Sequence, residues 1–94
     1  MKIDELFAVI CDRRDHPSEK SYTNRLMNAG EDEILKKIGE ESIEVILAAK
    51  GQGDARLIEE LADLTYHSLV LLAYKGLSPE DITAELERRH RKKE

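Results

Sequence analysis

The apolar side chains of this chain recur with a helical period over most of its length, and nowhere do they alternate as a strand would. Ile3, Leu6, Phe7 and Ile10 repeat at three and four, which predicts a first helix over 3–13. Residues 15–30, DHPSEKSYTNRLMNAG, lose that rhythm and carry Pro, Gly, Ser and Asn, so they read as a long loop with a helical turn around 23–28. A second helix is expected over 31–50, its acidic start suiting the positive end of the helix dipole, with GQG at 51–53 ending it. A third runs from Asp54, read as its N-cap, to about 75, where Gly76 closes it. Ser78, Pro79, Glu80 and Asp81 supply an N-cap, a proline at the first helical position and acids in the first turn of a fourth helix, which ends in the basic run 88–93. The expectation is an all-α, four-helix domain over residues 1–94.

The acids are not scattered over these helices. At 100° per residue from Ile34, the positions Ile34, Leu35, Ile38, Val45, Ile46 and Ala49 fill a face between about 0° and 120°, and Ile43 and Leu47 fall at about 180° and 220°. Glu40, Glu44 and Glu41 take the remaining sector, at about 240°, 280° and 340°. Apolar surface flanks the acids on both sides, which a wholly solvated face does not usually show. On the third helix Asp63, His67 and Glu60 line up in the same way, and from Leu64 to Tyr74 that helix holds no Asp, Glu, Lys or Arg. Such a segment is normally buried all round, so Glu60 and Asp63 stand where a core helix begins, with His67 a turn deeper.

Two helices joined by a short turn lie antiparallel. Measured from Gln52, Glu44 lies eight residues before and Glu60 eight after, while Glu41 and Asp63 lie eleven before and eleven after. Four carboxylates are therefore expected at matching heights. Left bare they would repel one another and their pKa values would rise, a conflict that a hard divalent cation removes. Oxygen donors without a cysteine cluster select Mg²⁺, with Mn²⁺ as a substitute. Mg²⁺ usually shares its coordination with substrate phosphates, which points to phosphate-ester or diphosphate chemistry. The plainer alternative is a small acidic interaction module whose glutamates are solvated and decorated by pairs such as Glu33 with Lys37; it predicts no divalent-ion binding. Iron-binding carboxylate bundles call for Glu-x-x-His pairs, which are missing because His67 follows Glu60 by seven and Asp63 by four. His67 reads as a satisfied core histidine able to bond Asp63.

Composition sets further limits. A chain of 94 residues buries roughly 60–65% of its surface. Aromatics are 4% and Trp is absent, so the core must come from Leu, Ile, Val and Ala, a shortage that favours an oligomer. Twenty acids against fifteen bases give a net charge of -5, which argues against nucleic acid or an anionic membrane as the main partner. The single Cys11 offers neither a disulfide nor a zinc site and fits a reducing compartment. No N-terminal apolar run resembles a signal peptide, and the stretch 64–74 is too short to span a bilayer, so a cytoplasmic protein is expected.

Two blocks, SYTNRLMNAGEDEILKKIGEESIEVILAAKG and ELADLTYHSLVLLAYKGL, closely resemble the phosphoribosyl-ATP pyrophosphohydrolase family over residues from about 6 to 89. EExxE followed by ExxD also resembles the signature of the all-α nucleoside-triphosphate pyrophosphatase superfamily, which includes MazG-like enzymes and dimeric dUTPases. The resemblance implies Mg²⁺-dependent cleavage of the α–β phosphoanhydride of phosphoribosyl-ATP to phosphoribosyl-AMP and pyrophosphate, the second step of histidine biosynthesis. It implies Glu41, Glu44, Glu60 and Asp63 as metal ligands, and Glu40 as a catalytic group that serves a second ion or orients the attacking water. Ser21, Tyr22 and Thr23, with Lys36 and Lys37, distinguish this family from its relatives and are the candidates for substrate phosphate or ribose contacts. The loop 15–30 is expected to be mobile and to close over those phosphates. A homodimer built as a MazG-like helical bundle is also implied. The family is known fused to the cyclohydrolase of the next step, for which this chain has no room, so a free-standing enzyme is expected. A relative that clears non-canonical or excess nucleoside triphosphates would share every metal residue, and only substrate comparison separates the two.

Overall fold

A computed structural model describes residues 1–93; residue 94, the last of the expected domain, lies outside them. Among the described residues are five helices and no strand: α1 (Ile3–Asp15), α2 (Tyr22–Ala29), α3 (Glu31–Gly51), α4 (Asp54–Tyr74) and α5 (Pro79–Lys93). The chain is all-α, as its periodicity predicts. The additional helix is α2, which forms inside the stretch expected to be a loop with one turn. Ser21 caps it, its hydroxyl accepting the Asn24 N–H at 3.3 Å. Its polar residues dock it: Thr23 and Asn24 are buried together with Leu26. The Asn24 amide donates to the Arg13 carbonyl at 2.5 Å and accepts from the Ser18 N–H at 2.9 Å, which ties the turn after α1 to α2.

Gly30 ends α2 and begins α3 with no intervening linker. Its N–H reaches the Leu26 and Met27 carbonyls, and its own carbonyl accepts from Ile34 at 3.4 Å. A φ of 103° permits this reversal, a region where a side chain is strained. At the other end of α3, Gln52 and Gly53 make the turn into α4. Gly53, at φ 88°, takes the N-cap position, so Asp54 is the first helical residue and not the cap expected of it. A Lys75–Glu31 ion pair joins the far ends of the same hairpin, and Arg14 Nη1 ties α1 to α4 through the Ala73 carbonyl at 2.8 Å. The fourth expected helix is α5, begun as its sequence predicts: Ser78 N–H donates to Asp81 Oδ2 at 2.9 Å.

The core gathers where α1, α2 and the first turns of α3 meet the second half of α4. Ile10, Leu26, Ile34, Leu69, Val70 and Ala73 are buried in it, and Leu6, Phe7, Met27, Ile38 and Tyr66 pack around them. The other half of the α3/α4 hairpin is bare. Ile43 and Ile58 are 61% and 64% exposed, with Ile46, Leu47 and Leu61 open beside them, and Leu77 before α5 and Ile82 and Leu86 along it are exposed as well. The radius of gyration is 14.9 Å, against about 12 Å for a compact domain of this length. No helix of the described residues is long and apolar enough to cross a membrane.

Candidate active site

The turn length sets the site, because equal counts along α3 and α4 bring their acids to one level. Glu41 and Glu60 are buried, 8% and 1% exposed. Glu44, Asp63 and Glu40 are exposed at the rim. Glu60 is held above the ordinary carboxylate range chiefly by the Glu44 carboxyl across the hairpin; burial and Asp63 push the same way. Glu41 is raised by burial first, then by Asp63 and Glu44, against the opposing pull of His67. The four expected carboxylates therefore do influence one another across the two helices.

Two side chains already attend the buried pair. Arg56 Nη2 meets Glu60 Oε1 at 2.7 Å from one turn back on α4, while Nη1 of the same guanidinium reaches Glu59 at 2.9 Å. Glu60 Oε2 is left buried without a hydrogen-bond partner. His67 Nδ1 contacts Glu41 Oε1 and lies 3.0 Å from the Asp63 main-chain carbonyl, the acceptor on which it is aligned. The expected bond between His67 and Asp63 thus runs to the backbone, and the carboxylate that His67 meets is Glu41. On the far side of the ring, Nε2 lies 3.0 Å from the Tyr22 hydroxyl.

The residues fit a hard cation in kind: oxygen donors, a guanidinium standing where positive charge is wanted, and an orphaned carboxylate oxygen in the wall. Among the described residues no three His, Cys, Asp or Glu side chains converge as a ready-made ligand set.

The serine, tyrosine and threonine of α2 have structural partners. Ser21 caps the helix, the Thr23 and Tyr66 hydroxyls bond to each other, and Tyr22 reaches His67. Burial raises the Tyr22 phenol above its usual pKa, with nearby Lys37 opposing. Lys37 and Tyr22, with Arg25, Leu26, Ala29 and Glu33, line an open groove of about 260 Å³ between α2 and α3. Lys36 is exposed and outside that lining. Arg25, whose guanidinium lies 5.8 Å from the Tyr22 ring centroid, went unnoticed in the sequence because it falls in a stretch without periodicity. Arg56 was missed in the sequence as well, although its i,i+4 spacing to Glu60 is a signal that could have found it.

Fold and site together define a small all-α protein whose acidic helical hairpin adjoins a groove bearing cations. The family model of phosphoribosyl-ATP pyrophosphohydrolase matches residues 3–90. The chain is 57% identical to the phosphoribosyl-ATP pyrophosphatase of Pelotomaculum thermopropionicum, an alignment covering 97% of this chain and 93% of that one. It is 46% identical to the phosphoribosyl-ATP pyrophosphatase of Saccharolobus solfataricus, covering 95% of each. Against the histidine biosynthesis bifunctional protein HisIE of Oceanobacillus iheyensis it is 50% identical, over 98% of this chain and 43% of that protein. The chain belongs to the phosphoribosyl-ATP pyrophosphohydrolase family, a family of hydrolases.

Proposed function

We propose that the chain hydrolyses the α–β phosphoanhydride of phosphoribosyl-ATP to phosphoribosyl-AMP and pyrophosphate, the second step of histidine biosynthesis, with Mg²⁺ as cofactor and Mn²⁺ able to replace it. The observation that carries this reading is a pair of buried glutamates on the two arms of one hairpin: Glu41 and Glu60 are both raised in pKa, and each has an oxygen, Glu41 Oε1 and Glu60 Oε2, that is buried without a hydrogen-bond partner. Burying unpaired carboxylates is costly unless positive charge joins them. When bound, the cation supplies charge neutralisation to the phosphates and makes water more acidic. Glu41, Glu44, Glu60 and Asp63 are its proposed ligands. Glu40, exposed one residue before Glu41, orients the attacking water or serves a second ion. Lys37, joined by Arg25, binds substrate phosphate oxygens from the adjoining groove. Two relatives named phosphoribosyl-ATP pyrophosphatase, at 57% and 46% identity, support this choice of substrate.

The reading includes a homodimer. A second copy covers the bare half of the hairpin around Ile43, Ile46, Leu47, Ile58 and Leu61, a cluster of exposed large apolar side chains of the kind that marks an interaction surface. Light scattering at micromolar protein should give twice the chain mass, and a monomer would refute this part. Cytoplasmic location belongs to the same reading.

The test is pyrophosphate release from phosphoribosyl-ATP, beside ATP and a panel of dNTPs, with Mg²⁺ and with EDTA. Mg²⁺-dependent release from phosphoribosyl-ATP alone is expected. Release from the dNTPs instead would move the chain to nucleotide clearance, and no release from any of them would overturn the hydrolytic role.

A further inference from the structure

Tyr22, His67 and Glu41 come from three helices and meet in one line. The His67 ring has both nitrogens engaged, Nε2 by the Tyr22 hydroxyl at 3.0 Å and Nδ1 by the Asp63 carbonyl at 3.0 Å and Glu41 Oε1. Two acceptors beside Nδ1 place the ring proton there, which leaves Nε2 to accept from the tyrosine hydroxyl. The ring plane is fixed as well. Tyr66 stands edge-on at 5.1 Å and 82°, and Tyr22 at 5.9 Å and 83°. A buried imidazole so held has one orientation to offer Glu41.

We propose that Tyr22 and His67 are positioning residues for the cation: the Tyr22 hydroxyl fixes the His67 ring, and His67 holds one oxygen of Glu41, leaving the other oxygen as metal ligand. This rests on the divalent-cation reading given above and assigns Tyr22 a role other than substrate contact. Ligating carboxylates commonly have a second hydrogen-bonding partner that sets their direction. The arrangement makes α2 a part of the metal centre although it carries no acid of its own. The Tyr22 hydroxyl, and not the seating of α2 as a whole, then decides how Glu41 is presented.

The experiment measures Mn²⁺ binding by isothermal titration calorimetry, without substrate, on the full chain and on Y22F, H67N, the double variant and T23V, with thermal melts confirming the fold of each. Asn at position 67 retains an amide near the place of Nδ1 and loses the group that Tyr22 reaches, so it keeps the test open if larger changes fail to fold. Y22F is expected to weaken Mn²⁺ about tenfold, within the range for partners of metal ligands. In the H67N background the same change should do nothing, because Tyr22 acts only through the ring. T23V removes the hydroxyl contact to Tyr66 on the same helix and should leave affinity within about twofold of the parent. Turnover of Y22F should recover at high Mg²⁺ with the substrate KM unchanged. Parent-like affinity in Y22F, an equal loss in the H67N background, or an equal loss in T23V would each overturn the proposal while leaving the cation reading intact. No Mn²⁺ uptake by the parent would overturn both.

Discussion

Removing the Asn24 side chain should be among the most damaging single changes outside the apolar core. The residue is buried, and its amide makes two bonds that no neighbour can replace, to the Arg13 carbonyl at 2.5 Å and from the Ser18 N–H at 2.9 Å. Asn24→Ala deletes both and leaves a carbonyl and an N–H partly sheltered from water. Net losses of about 0.5–1.5 kcal/mol per bond, with a further desolvation cost, come to about 2–3 kcal/mol. In a domain this small that is a fall of roughly 10–20 °C in Tm. The assay is a circular-dichroism melt in EDTA at several protein concentrations, since an oligomer makes Tm depend on concentration. Asn24→Asp keeps the acceptor for Ser18 but turns a carboxylate oxygen toward the Arg13 carbonyl, so it should destabilise as well. Asn28→Ala, an exposed position on the same helix, should stay within about 0.5 kcal/mol of the parent. If Asn24→Ala melts within about 3 °C of the parent, these hydrogen bonds do not hold α2 and the argument fails.

Glu60→Gln should raise the melting temperature in EDTA, because the amide relieves the conflict with Glu44, and should lower turnover by at least about 100-fold through loss of a ligand; a lower EDTA melting point would contradict the repulsion argument. Stability without metal should fall as pH rises: Glu41 and Glu60 are raised above the ordinary 4.5, so their contribution is complete below that value and is lost as pH climbs through the folded values. Melts above pH 4.5 should show that slope in the parent and not in the E41Q/E60Q double variant, whereas the lowered Asp15 and Glu85 act in the opposite sense below the ordinary range. Lys37→Ala should raise the substrate KM about tenfold or more while Lys36→Ala changes it little, since only Lys37 lines the groove; equal effects would refute the distinction.

The hairpin was readable because its information is a count: a turn at 51–53 and acids eight and eleven residues to either side. The apolar period of α3 and α4 then told which face carried them. Helix α2 was readable only as a single turn around 23–28, since eight residues give barely two turns and hide a period of 3.6. Its Ser, Thr and Asn are loop formers by propensity, and tertiary partners turn them into a cap and two docking bonds. The partnership of His67 with Glu41 was out of reach for another reason. Sequence gave both residues a height on their helices, but the aim of an imidazole depends on the tyrosine that locks it, and that tyrosine stands 45 residues away.

Gly30 works as a pivot with two arms. Tyr22 sits eight residues along one and Glu41 eleven along the other, so at 1.5 Å per residue the arms are about 12 Å and 16 Å long. A swing of about 5° at the glycine displaces either tip by about 1 Å, the scale of misplacement that can cost a hundredfold in rate. No neighbouring atom would meet an added methyl group at Gly30; the obstacle is its φ of 103°. A residue with no side chain can therefore govern the aim of the acidic groove by leverage alone, and mutations there would look like active-site lesions while lying a full helix away.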